Sequence, residues 1–247
     1  MSESESPLRR NPEPLLAGVR GKAGEGSKTG GDKRWKISAG VLVLGFAAAL
    51  VFARLFPAVE GLGAKVRLPV FHGSLTWANL ALFVALAVVS VIALATNRPA
   101  WQSWDRALRY SAIGVWLVGT VLGLVAASIS WDFTGAADSP ITIILKDPRL
   151  QLQFLVALVG IVILTLPLLT VRSRVLSAAD AVFALGSLAG LAVAMTTGNG
   201  LHPDSPVMNS DEIRIKLTFF LMFGAQLVAV SGLTALIHSI ISPPVTP

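Results

Sequence analysis

The sequence predicts an all-α, polytopic membrane protein of six transmembrane helices with both termini in the cytoplasm. Three observations predict it. Of 247 residues, 53% are hydrophobic and only 14% are charged, whereas soluble domains carry about 25% charged residues. Apolar runs of the length a helix needs to cross a bilayer recur along the chain. Runs such as Leu75 to Thr96 show no period of two, which a membrane β-strand requires.

Residues 1–35 are rich in Gly, Ser, Glu, Lys and Pro. Such a segment buries too little apolar surface to fold and is expected to be a disordered, basic cytoplasmic tail. Its charge suits contact with anionic lipid heads better than nucleic acid. The first apolar run lies too far in, and is too long, for a cleaved signal peptide. The transmembrane domain is expected over 36–241, with helices at 36–56, 75–96, 110–130, 151–171, 178–198 and 215–241; residues 242–247 form a short tail.

Lys and Arg near the helix ends set the orientation. The segment up to Lys36, the loop after helix 2 (Arg98, Arg106, Arg109) and the turn after helix 4 (Arg172, Arg174) together carry thirteen. The other three loops carry six: Lys65, Arg67, Lys146, Arg149, Arg214 and Lys216. The excess places both termini, and the thirteen, on the cytoplasmic side. Arg54 snorkels from the outer end of helix 1. Asp180 falls near the inner end of helix 5, where it can cap that helix. No charged residue is expected unpaired at mid-bilayer, and so no proton relay or ion pathway. Gly119 with Gly123, and Gly186 with Gly190, have the small-residue spacing of closely packed membrane helices.

The outer loop 131–150 holds Trp131 and Phe133, which suit an interfacial belt or an apolar wall for a flat ligand, and then a short Ile-rich piece over 139–145. Asp147 followed by Pro148 is a helix start, with a capping carboxylate and a proline at the first helical position.

Several chemistries are excluded. The chain has no cysteine, which removes disulfides, Cys-ligated metal and covalent haem attachment. It has no Ser-His-Asp set, HExxH, phosphate loop or dinucleotide fingerprint. Three histidines are present. His238 lies at the inner end of helix 6, where the helix dipole favours positive charge. His72, before helix 2, and His202, before helix 6, share the outer face. Two readings stand for them: interfacial polar residues, or a pair of axial ligands to a haem iron. Lys65, Arg67, Arg149 and Arg214 are outer cations, available as membrane-end charge or as partners of haem propionates.

The residues also resemble a family. His72-Gly-Ser-Leu-Thr-Trp77 is similar to the His-x-Pro-x-Ala-Trp segment of the cytochrome c assembly proteins, the haem exporter protein C (CcmC) type among them. Trp104-Asp105-Arg106, Ala127-Ser128-Ile129-Ser130-Trp131, Asp147-Pro148-Arg149-Leu150 and Leu201-His202-Pro203 resemble further segments of that family, in its order and on six helices. The resemblance spans 40–240. It implies that His72 and His202 ligate a non-covalent haem b, that Trp77 and Trp131 flank it, and that Arg149 meets it. It implies no bond-making reaction and hence no enzyme, but haem handling in the cell inner membrane with other assembly proteins on the membrane or its outer side. Two departures stand out. No tryptophan occurs between Trp131 and Asp147, where the family has a Trp-rich segment, and no proline follows His72. These favour a second reading, a b-haem electron-transfer subunit of a larger complex; a haem-free structural subunit on the same scaffold is the third.

Overall fold

The computed structural model describes residues 28–59, 63–130, 138–170, 172–196, 207 and 209–242. They form seven α-helices: α1 (Lys28–Leu55), α2 (Arg67–Thr96), α3 (Pro99–Ser130), α4 (Pro140–Lys146), α5 (Pro148–Leu169), α6 (Ser173–Thr196) and α7 (Ile213–Ile241). All except α4 are long and apolar enough to cross a membrane. The all-α, six-span architecture therefore holds, with no strand among the described residues. Side chains such as Val84, Val88, Leu158, Val162 and Val182 remain exposed, as a bilayer-facing surface requires.

Three boundaries differ from expectation. The helix at 36–56 begins at Lys28, so residues 28–35 are helical; residues 1–27 and 243–247 lie outside the described residues. The helices expected from 75 and 110 begin at Arg67 and Pro99. The connection between α2 and α3 is only Asn97 and Arg98. Asn97 takes the left-handed conformation (φ 50°), its N–H donates to Ala93 O at 2.9 Å, and Pro99 opens the next helix. Arg106 and Arg109, read as loop cations, consequently belong to α3. A charged run near a helix end looks like a loop until its side chains find partners inside the bundle.

Chain direction alternates, so the bundle has two ends. At one, a single 3-10 turn (Ala64–Val66) leads into α2, and α4 leads into α5. This is the His72 end. The other holds the α2–α3 and α5–α6 connections, the start of α1 and the finish of α7; it is the Arg109 end. α2 is central. Its Phe83 and Leu86 pack with Ile113 and Trp116 of α3 and Phe183 of α6 in the main core. A second core at the His72 end joins Phe56, Val66, Phe71, Phe219 and Met222. Apolar lipid tails offer little drive for helix association, so close packing carries it.

The closest packing is between α1 and α7. A Cβ added at Gly45 would lie 2.5 Å from the Ala229 backbone N, and one at Gly232 would lie 2.5 Å from the Leu42 backbone N. Only glycine permits these backbones to approach so closely. Of the expected small-residue pairs, Gly123 and Gly190 meet neighbours, while Gly119 and Gly186 face open space.

Candidate functional site

Two polar centres lie at opposite ends of the bundle. At the His72 end, His72 sits in the second turn of α2 and is half-buried. Its ring occupies space that α3 leaves by having glycine at 123. A Cβ there would fall 2.8 Å from His72 Cε1, 2.9 Å from Nε2 and 3.3 Å from Gln153 Oε1. The imidazole is thus held between α2, α3 and α5, with an amide oxygen beside it. α5 is fixed at this level by Trp116, whose indole N–H donates to the Gln153 carbonyl at 3.0 Å.

Arg149 lies four residues before Gln153, on the same face of α5. It is half-buried, and its Nε is buried with no hydrogen-bond partner. Asp147 caps α5 as expected, Oδ1 accepting from the backbone N–H groups of Arg149 (2.9 Å) and Leu150 (3.1 Å). The Ile-rich piece is the helix α4, capped by Ser139, with Ile144 buried against Leu150 and Ala127. Trp77 is not brought to this niche. It is 43% exposed and meets Phe219 and Phe223 of α7 edge-on, with ring centroids 6.1 and 6.2 Å away. Trp131 and His202 lie outside the described residues. Among the described residues, no three metal-ligating side chains are gathered at one point.

The second centre, at the Arg109 end, was not anticipated. Arg109 of α3 and Asp180 of α6 are 1% and 0% exposed and form an ion pair. Arg109 Nε donates to both Asp180 oxygens, at 2.7 and 2.9 Å, and Nη2 donates to Oδ2 at 2.5 Å. Asp180 is therefore not a helix cap: it is a buried carboxylate held by Arg109. Asp105, also buried, accepts from Ser90 Oγ at 2.6 Å and from Ser177 Oγ at 2.5 Å. Two acids, one guanidinium and two hydroxyls thus tie α2, α3 and α6 together. Ionisable groups within a membrane bundle are costly unless paired, as these are. The signal in the sequence is Asp105 and Arg109 one helical turn apart, with the first residues of the apolar run after them.

His238 is placed at the same end, as expected. Its ring stacks on Trp104 (centroids 3.9 Å apart, 12° between planes), and Nε2 lies 3.0 Å from Ser103 Oγ and 3.1 Å from Ser242 Oγ. It is tied to α3 as well as to its own helix terminus.

No family model matches the chain, and no curated protein is significantly similar to it.

Proposed function

We propose that this chain is a haem-handling membrane protein that would hold haem b non-covalently at the His72 end, with His72 and His202 as the residues that would ligate its iron. One observation carries the reading. An imidazole is lodged in a niche made by a missing side chain at Gly123, and the nearby Arg149 has a buried Nε without a hydrogen-bond partner. A neutral imidazole is a good iron ligand, and an unpaired guanidinium edge suits a propionate carboxylate. The donor types fit haem; the Nε2 edge of His72 lies against Gly123 and would have to turn outward to reach an iron. Bound haem would supply a one-electron iron couple. The chain's own part is to hold. Gly123 gives the ring room, Trp116 pins α5 beside it, and Asp147 fixes the first turn that carries Arg149.

On this reading the His72 end faces outward, both termini are cytoplasmic, and the membrane is the cell inner membrane. The chain catalyses no reaction. It keeps or presents haem to other membrane or outer-side proteins of a cytochrome assembly complex. The second reading, a resident redox haem in an electron-transfer complex, is favoured by the aliphatic α4 and the lack of tryptophan over 132–146.

The test is the visible spectrum of the detergent-purified protein, oxidised and reduced, with a pyridine haemochrome count. A low-spin haem b spectrum is expected in the wild type and in His238→Ala, and its loss or shift in His72→Ala and His202→Ala. Haem retained at one per chain selects the resident-cofactor reading; substoichiometric haem that exchanges selects handling. A colourless protein that takes up no added hemin, or identical spectra in all three variants, overturns both.

A further inference from the structure

Between α3 and α6 at the Arg109 end lies a cleft of about 280 Å³. Six of its lining residues are polar, Gln102, Asp105, Arg106 and Arg109 from α3 and Ser173 and Ser177 from the first turns of α6, and Leu176 adds an apolar side. The two arginines differ in depth. Arg106 is exposed and stands at the mouth, whereas Arg109 is 99% buried and forms the floor. Arg109 commits Nε and Nη2 to Asp180, and its Nη1 is buried without a partner. A buried, unpaired charged donor is costly and marks where an acceptor belongs.

The sign of that acceptor follows from the lining. Asp105 is the one acidic wall residue. It is almost wholly buried, and each of its oxygens already accepts a hydroxyl hydrogen bond. Asp180 balances the charge of Arg109, so the sign rests on the exposed Arg106 and on the Arg109 Nη1 donor, which calls for an acceptor. The α6 N-terminus adds the positive end of a helix of 24 residues. The opening lies at an end of the bundle. We infer that this cleft binds the phosphate group of an anion, with Arg106 gripping it from the mouth and Arg109 Nη1 meeting it from the floor.

A phospholipid head and a free phosphate share this chemistry, so the test has two arms. Full-length, delipidated protein is examined as wild type, Arg106→Ala and Ser173→Ala. The last two leave the Arg109–Asp180 pair intact, whereas Arg109→Gln strands a buried carboxylate and is unsuited to a binding assay. In the first arm, protein reconstituted with phosphatidylglycerol and diacylglycerol is analysed by native mass spectrometry. In the second, inorganic phosphate is titrated against thermal unfolding, with chloride at matched ionic strength as the control. Retention of one phosphatidylglycerol, and not diacylglycerol, weakened about tenfold in Arg106→Ala, identifies a lipid phosphate. Saturable stabilisation by inorganic phosphate, lost in Arg106→Ala, identifies a soluble one. No phosphate-dependent effect in either arm, or equal effects in all three proteins, overturns the inference.

Discussion

Arg109 and Asp180 concentrate the energetics of single residues in this protein. Each is buried, and each is the other's only ion-pair partner among the described residues. Removing one leaves an uncompensated charge, which costs about 3–5 kcal/mol in a buried site. Replacing both with apolar residues of similar volume removes the charge and the penalty together. Arg109→Gln is accordingly expected to lower the unfolding free energy by about 3 kcal/mol, and Arg109→Met with Asp180→Leu to recover most of that loss. Chemical denaturation in mixed micelles measures it; additive losses in the double variant would show that the pair is not coupled. This centre was visible in the sequence only as Asp105 and Arg109 one turn apart. Charges near a helix end have two fates, solvent or a partner. Composition cannot choose between them, because the partner Asp180 lies 71 residues away in the chain. His72 was easier to read. It is one of three histidines in the chain; Gly123 stands out in the sequence only through its small-residue spacing from Gly119, and that it faces His72 belongs to the packing of two helices.

At the scale of elements, the α1–α7 seam depends on glycine. At Gly45 and Gly232 an added Cβ meets the backbone of the opposite helix, which cannot rotate away. Gly40 and Gly224 lie on the same two helices with nothing within 4 Å. Gly45→Ala and Gly232→Ala are expected to destabilise by about 1–3 kcal/mol through overpacking. Gly40→Ala and Gly224→Ala are expected to be neutral, or to gain up to about 1 kcal/mol of helix propensity. Thermal unfolding of the four variants separates the pairs, and equal behaviour would contradict a backbone-tight seam. The helices themselves were legible from apolar run length. Their starts were not, because α2 and α3 continue past the apolar stretch to Arg67 and Pro99. The cap at Asp147 and Pro148 was read correctly, since capping is local chemistry written in adjacent residues.

For the whole molecule, the open quantity is its orientation. The absence of cysteine makes it directly measurable. Arg98 and Lys65 are exposed at opposite ends of the bundle, so Arg98→Cys and Lys65→Cys report on the two sides. If the Arg109 end is cytoplasmic, a membrane-impermeant maleimide is expected to label Lys65→Cys in intact cells and Arg98→Cys only after lysis. The reverse pattern would turn the molecule over and place the haem site proposed here on the inside.

The pairing of α1 with α7 also bears on how the chain is made. α1 is made before the other helices described here, yet its tightest neighbour is α7, with α2 to α6 between them in the chain. Until α7 is synthesised, Gly45 lacks the backbone it packs against and α1 has only its contacts with α2, such as Phe46 on Phe71; contacts so far apart in sequence form late. Insertion can proceed span by span, but the seam of α1 closes only once α7 is in place. A nascent chain halted before α7 is an open molecule, and quality-control proteases would meet it in that form.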